Sequence, residues 1–439
     1  MIANFLSKIM QRYLPDSFLL AIILTALIVV AGVTAGGHSL FDMADYWGKG
    51  FSKLFTFGMQ MVLVLLLGYI LALTPAVNRF LDKLTDAAKT PRQALMLTGT
   101  VSFAACYLNW GFGLVVGAMV AKEMGRKVQG LHFPLVVAAA YSAEIIRGPS
   151  SAIPLVVATP KHFLHETLGV IPVSQTLYSS WNLLISAGIL VLLLLMYAFV
   201  SPPKQPVSVT QAHQETPEKN QAAQHAGPLF FSEKLEQRYL FNLLLAVLPL
   251  LFAGKHFAEK GFDVNLNIVI MLFLAASLLL HRSPAAFLDA AKTAISSTQG
   301  IIVQFPLYAG IAGMMTDSGL VNLMAQWFVS VSDAANFPVM TFLSAGLVNI
   351  FIPSGGGQWA IQGPVVVEAA KALGADLPQT IMAFAWGDAW TNQIQPFWAL
   401  PLLGVAGLSA RDIMGYCVMW LVLSGLWIMG VFAVMSFIL

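Results

Sequence analysis

Long apolar runs alternate with short polar breaks along nearly the whole chain. Runs at about 17–34, 57–75, 131–158, 176–200, 239–254, 265–280, 299–316, 378–407 and 412–438 predict helices, most of them near the roughly 20 residues that cross a hydrocarbon core. Two further stretches, 93–122 and 338–370, are apolar but too short for two crossings each, and both carry a glycine-rich break in the middle. A re-entrant hairpin is the economical reading of each, because non-helical backbone at membrane depth must face protein or a water-filled cavity. Residues 76–88 and 318–330 are amphipathic and suit the interface plane.

The pattern is stated twice. Asn109-Trp110-Gly111-Phe112-Gly113 is followed by a charge-bearing apolar stretch broken at Arg147-Gly148-Pro149-Ser150-Ser151. Pro353-Ser354-Gly355-Gly356-Gly357 is followed by a similar stretch broken at Thr391-Asn392-Gln393-Ile394-Gln395-Pro396. A shift of 244 places Gly111 on Gly355, Gly113 on Gly357 and Glu144 on Asp388. Near 242, Thr74 falls on Thr316, which extends the repeat upstream. Interrupted polar segments at matching places in two halves of an apolar chain point to a transporter substrate site.

Composition agrees. The chain has 439 residues, 58% hydrophobic and 10% charged, with a mean hydropathy of +0.76; soluble proteins carry about 25% charge. The expected fold class is an all-α polytopic membrane protein made of two inverted repeats with re-entrant hairpins and broken helices. With the N-terminus inside, cytoplasmic segments collect 16 Lys and Arg against 6 outside, Arg147 lying within the membrane. That bias satisfies the positive-inside rule and places the C-terminus in the periplasm. Lys8 and Arg12 before the first run resemble a signal peptide, but the run is long and no convincing cleavage site follows, so it reads as an uncleaved span. The expected division is 1–56, an N-terminal span and periplasmic loop; 57–200, a first transport repeat; 201–236, a flexible cytoplasmic linker without a fold of its own; 237–298, connecting spans; and 299–439, a second, inverted repeat.

Several chemistries find no support. There is no GxxxxGK[ST] phosphate loop, no nucleophile–base pair, no metal-ligand spacing and no basic cluster for nucleic acid. Cys106 and Cys417 lie in apolar runs and read as small buried hydrophobes. Neither an enzyme nor a cofactor is expected, beyond a coupling cation, proton or sodium.

The candidate chemistry sits at the breaks. Asn109, Gly111, Ser354, Gly355, Gly356 and Gln358 mark the hairpin tips, where glycine permits close backbone approach and a helix N-terminus favours an anion. Arg147, Ser150, Ser151, Asn392 and Gln393 mark the broken spans, where proline frees a carbonyl and short polar side chains meet a ligand. Together these are the expected substrate contacts, with Arg147 facing a carboxylate. Glu144, Asp388 and Thr391 are the expected cation or proton site. Plainer readings compete: the tips are turns, the breaks are proline kinks, and Glu144 and Arg147, three residues apart, pair with each other. Trp110, Trp359, Trp386, Trp390, Phe397 and Trp398 suit a short hydrocarbon tail, or else anchor the protein at the interface.

With these strings in hand the chain resembles the bacterial short-chain fatty acid transporter family, the AtoE type. The resemblance runs nearly end to end, through Leu14-Pro15-Asp16-Ser17-Phe18, Asn109-Trp110-Gly111, Gly148-Pro149-Ser150-Ser151, Pro353-Ser354-Gly355-Gly356-Gly357-Gln358-Trp359 and Trp386-Gly387-Asp388-Ala389-Trp390-Thr391-Asn392. It implies secondary uptake of monocarboxylates such as acetoacetate or butyrate across the bacterial inner membrane. It also implies distant membership of the ion-transporter superfamily, whose members pair inverted repeats and often form homodimers. The Ser-Asn-Thr tip motif of that superfamily's sodium/dicarboxylate symporters is absent, so sodium coupling of that type does not carry over. The competing carrier reading is a dicarboxylate or amino-acid carrier of the same superfamily. Dicarboxylates call for more than one cationic group, and Arg147 is the only basic residue near the breaks.

Overall fold

The computed structural model describes residues 6, 10, 12, 16–160, 162–200, 202–203, 205–209, 230–261 and 265–438. Among them every regular element is helical and no strand occurs. The first half contains α1 (Ser17–Thr34), α2 (Leu40–Phe51), α3 (Phe55–Ala72), α4 (Pro75–Thr85), α5 (Pro91–Leu108), α6 (Trp110–Lys127), α7 (Phe133–Ser142, prolonged by the 3-10 turn Ala143–Ile145), α8 (Ala152–Ala158), the single turn α9 (His165–Leu168) and α10 (Ser180–Phe199). Then come α11 (Phe231–Glu236), α12 (Tyr239–Lys260), α13 (Leu266–Leu280), α14 (Pro284–Ala294, followed by the 3-10 turn Ile295–Thr298), α15 (Gln299–Asp317), α16 (Leu320–Ser330), α17 (Phe337–Asn349), α18 (Gly355–Leu373), α19 (Leu377–Asn392), α20 (Pro396–Ala406) and α21 (Ala410–Ile438). Of these α3, α10, α12 and α21 are long and apolar enough to cross a bilayer as single helices.

The helix order recurs. The series α1 to α8 and α10 has counterparts in α13 to α21, leaving the short α9 and α11 and the long α12 unmatched. Local chemistry repeats with it. Ser39 caps α2 and Ser283 caps α14, each accepting from a backbone N–H of the first turn. The expected loop after the first span is partly helical: α2 is closed by a capping box in which Ser39 and Asp42 satisfy each other's backbone N–H.

Both interrupted apolar stretches are antiparallel helix pairs. In the first, α5 runs into α6 through the single extended residue Asn109. A Cβ on Gly113 would strike Cys106, and one on Gly117 would lie 2.7 Å from the Ser102 hydroxyl oxygen, so residues equidistant from the turn face each other. In the second, Gln358 Nε2 donates to the Ala345 carbonyl at 2.8 Å and Gln362 Nε2 to the Ser344 hydroxyl at 2.7 Å, pairing α18 with α17.

The core sits around two elements. Every residue of α7 is buried, and so are thirteen of α19. Helices apolar on all sides belong inside a bundle, and these two carry the breaks. By contrast α12 exposes Leu240, Phe241, Leu244, Leu245, Leu248 and Leu251, a surface for acyl chains rather than water.

The linker expectation needs correction at its ends. Val207 N–H donates to His132 Nδ1 at 3.0 Å, Phe133 N–H donates to the Val207 carbonyl at 2.9 Å, and Val209 is buried. Phe231–Glu236 is a helical turn and a half. The middle of the linker, 210–229, lies outside the described residues.

Candidate functional site

The first break, the second hairpin tip and the end of α19 meet at one cavity. It is lined by polar groups from the first break (Glu144, Arg147, Ser150, Ser151), the second hairpin tip (Ser354, Gly355, Gly356) and α19 (Asp388, Asn392), with Phe57, Trp110 and Trp398 as an aromatic wall. The centres of water-sized molecules have about 130 Å³ of room in it.

The first break exists because backbone geometry leaves no alternative. The helix tightens at Ala143–Ile145, and Pro149 lacks the N–H needed to continue it. Gly148 passes against the carbonyl of Tyr107 near the end of α5, so closely that any Cβ there would collide with it. Arg147 and Glu144 are thereby held beside the hairpin tip. The Arg147 Nη2 donates to the Glu144 carbonyl at 3.3 Å and to Glu144 Oε1 at 3.4 Å. Its Nε, although buried, has no hydrogen-bond partner among the described residues.

Glu144 is tied from both halves. Asn392 Nδ2 donates to Oε1 and Gln393 Nε2 to Oε2, each at 3.3 Å. Asn392 in turn accepts through Oδ1 from Asn349 Nδ2 at 2.7 Å, and Asn349 also donates to the Thr391 hydroxyl at 3.0 Å. The Thr391 hydroxyl donates in turn to the Gly346 carbonyl at 2.8 Å. A polar relay thus joins the first break to α17 of the second hairpin. Tyr141 closes the same joint from α7, donating to the Asn392 carbonyl at 2.5 Å. Tyr141 and Asn349 do not stand out in the sequence; their roles appear only once α7, α17 and α19 are packed together.

The second break lies slightly later than expected. Thr391 and Asn392 complete α19, and the chain opens at residues 393–395 before Pro396 starts α20. Gln395 Nε2 holds this opening to the Asn349 and Ile350 carbonyls at 3.2 and 2.9 Å.

Asp388 is differently placed. It is buried, and its Oδ1 has no partner. Its carboxylate leans on the N-terminus of α18: a Cβ on Gly355 would lie 2.8 Å from Oδ2. That helix start is capped by Ser354, whose hydroxyl accepts from Gly357 N–H at 3.4 Å. The first N–H groups of a helix have no carbonyl partner within it, and the helix dipole favours negative charge there.

The apolar wall is a packed cluster. Trp110 and Trp398 meet edge to face at 4.9 Å, and Phe57 lies 6.1 Å from each. Phe305 extends the cluster by stacking on Phe57 at 5.9 Å and on Phe397 at 3.9 Å. Phe57 belongs to an ordinary apolar run and carries no signal in the sequence.

Of the expected site residues, Arg147, Ser150, Ser151, Ser354, Gly355, Gly356, Asn392, Glu144 and Asp388 line this cavity. Asn109, Gly111, Gln358, Gln393 and Thr391 do not. Asn109 caps α6, accepting from Phe112 N–H at 3.0 Å. Gly111 faces Leu266 of α13, and Gln358 braces the second hairpin. Gln393 holds Glu144, and Thr391 accepts from Asn349 and donates to the Gly346 carbonyl, as described above. Among the described residues no cluster of three or more His, Cys, Asp or Glu side chains could hold a metal ion.

Comparison with known proteins bears on what such a cavity serves. The family profile described as short chain fatty acid transporter matches residues 1–435. A protein of Escherichia coli (strain K12) named for short-chain fatty acid transport is 42% identical over 97% of each chain. One of Haemophilus influenzae, named in the same way, is 38% identical over 95% of each. The solved YdaH transporter of Alcanivorax borkumensis aligns over 96% of this chain and 98% of its own, at 16% identity and a TM-score of 0.40, a likeness too loose to carry a conclusion.

Proposed function

The chain belongs to the short chain fatty acid transporter family, a family of multi-pass membrane proteins, and from that premise we propose that it is a secondary carrier. Its substrate is a small monocarboxylate of the acetoacetate or butyrate type, moved across the bacterial inner membrane with a proton or sodium gradient. The observation that carries this reading is the make-up of the cavity. One guanidinium with a free N–H and one helix N-terminus face an aromatic wall. A single carboxylate with a short apolar tail satisfies both surfaces, whereas a second carboxylate would find no second cation.

The same proposal holds that the two halves are inverted repeats around this site and that both helix pairs are re-entrant. Contacts between segment ends support it by falling into two sets. Lys53 pairs with Asp317, His38 with the Ser318 carbonyl, and Lys371 with the Thr167 carbonyl. Lys127 pairs with Asp82 and Asp86, His281 with the Ile70 carbonyl, and Lys122 with the Val405 carbonyl. The second set lies on the basic side, which the charge bias makes cytoplasmic. A homodimer is proposed on the resemblance alone.

The test is uptake of labelled butyrate, acetoacetate and succinate by purified protein in liposomes, with proton and sodium gradients imposed separately. Gradient-driven accumulation of the monocarboxylates, with succinate excluded, is expected. Preference for succinate would overturn the substrate class.

A further inference from the structure

Resting on the carrier reading above, we infer that Asp388 occupies the substrate carboxylate's own place at the α18 tip and carries the co-transported proton, taking it up as the substrate displaces it. Three observations lead there. The Asp388 carboxylate lies against Gly355 at the helix N-terminus, a spot in the cavity that suits an anion. Asp388 is nine-tenths buried and its Oδ1 lacks a partner, so it is not fixed by the fold. Glu144, the other carboxylate of the cavity, receives N–H groups from Arg147, Asn392 and Gln393 on its two oxygens, so the fold holds it in place.

Charge makes the argument quantitative. The cavity holds two carboxylates, Glu144 and Asp388, and one guanidinium, Arg147. With both carboxylates ionised, its net charge is one negative. A substrate carboxylate would make it two, in a space largely closed to water, where like charges repel strongly. If Asp388 takes a proton, the substrate replaces the charge that is lost and the net charge is unchanged. The proton comes from water and adds to an Asp388 carboxylate oxygen; no other bond forms or breaks. One proton and one monocarboxylate then cross together, electroneutrally.

Among the described residues, no other carboxylate or basic side chain of the helices packed on α19 competes for this role. From the first half, Glu144 and Arg147 face Asp388. α17, α8 and α20 carry no charged residue. In α18, Glu368 and Lys371 lie 13 and 16 residues from Gly355, toward the far end of the helix. In α21, Arg411 and Asp412 belong to its start, whereas the α19 contact is at Leu421, whose carbonyl accepts from Trp390 Nε1.

Calorimetry of butyrate binding to the purified full chain, repeated in buffers of different ionisation enthalpy at neutral and alkaline pH, counts the protons taken up. The wild type is expected to take up close to one proton per butyrate, and Asp388→Asn, a neutral mimic of the protonated acid, to bind butyrate with none. In liposomes, uptake by the wild type should follow a pH gradient and ignore membrane potential. Asp388→Asn should lose the pH response and become sensitive to potential. Butyrate binding by the wild type without proton uptake would overturn this inference and leave the carrier reading standing. So would one proton taken up by Asp388→Asn, or failure of that variant to bind. No butyrate binding by the wild type would overturn the carrier reading and this inference with it.

Discussion

Asn392 Nδ2 donates to Oε1 of Glu144 at 3.3 Å, a bond between residues 248 positions apart that fastens the last turn of α19 to the first break. The same side chain accepts from Asn349 at 2.7 Å. Its orientation is therefore fixed at both ends, and it holds the two halves of the cavity in register.

Replacing it removes both bonds at once. Asn392→Ala leaves Asn349 Nδ2 one acceptor short and takes one donor from Glu144. A hydrogen bond to a charged group is worth roughly 1.5–3 kcal/mol, so the variant should melt at a lower temperature, and with the cavity out of register the half-saturation concentration for butyrate should rise. Initial uptake rates over a concentration series measure this. An unchanged value would mean that the relay does not shape the site.

Arg147 poses the sharper question. Arg147→Met should abolish butyrate transport while the protein still reaches the membrane and elutes as a folded species. Removing both charges of a buried pair is often tolerated, so the double variant Glu144→Gln with Arg147→Met should fold. If Arg147 meets the substrate, that variant stays inactive. Restored uptake would reduce Arg147 to the structural partner of Glu144.

Two glycines should respond in different ways. At Gly148 a new Cβ meets the backbone carbonyl of Tyr107, which cannot move alone. Gly148→Ala should destabilise the protein by about 1–3 kcal/mol, the usual cost of overpacking, read as a lower melting temperature in detergent. At Gly355 the obstacle is the end of the Asp388 side chain. Gly355→Ala should melt near the wild type yet bind butyrate more weakly.

The linker divides by contact. Shortening 210–229 by about half should leave uptake intact, since loop closure cost changes slowly with length. Val207→Pro removes the N–H that His132 Nδ1 accepts and should lower thermal stability instead. Loss of uptake on shortening would assign the linker a role in transport.

Sidedness can be read by cysteine labelling, helped by the burial of Cys106 and Cys417. Cysteines at Lys89 and Lys127 should react from the cytoplasm, and those at Asn336 and Lys371 from outside. Labelling of either pair from opposite sides would turn that helix pair into two full crossings.

Much of this was legible because apolar surroundings make polar interruptions conspicuous. Arg147, Ser150, Ser354 and Asp388 stood out as costly groups in apolar runs, and the structure gathers them in one cavity. The rest depended on packing. Asn349 gains meaning from Asn392, 43 residues away, and Phe57 from two tryptophans of other elements. Thr391 and Asn392 were expected in the break because they are polar, but Pro396 ends the extended stretch rather than starting it, so the helix runs through them. The helix α2 was readable from Ser39-Leu40-Phe41-Asp42, a capping box that its charged, short sequence obscured.

The most direct test of the central claim is to locate the substrate. Crystals of the protein with 4-bromobutyrate would give the bromine position from its anomalous signal. The account predicts bromine against Phe57, Trp110 and Trp398, with the carboxylate directed at Arg147 and the start of α18. Bromine at the Arg147 end, or density only outside this cavity, would contradict it.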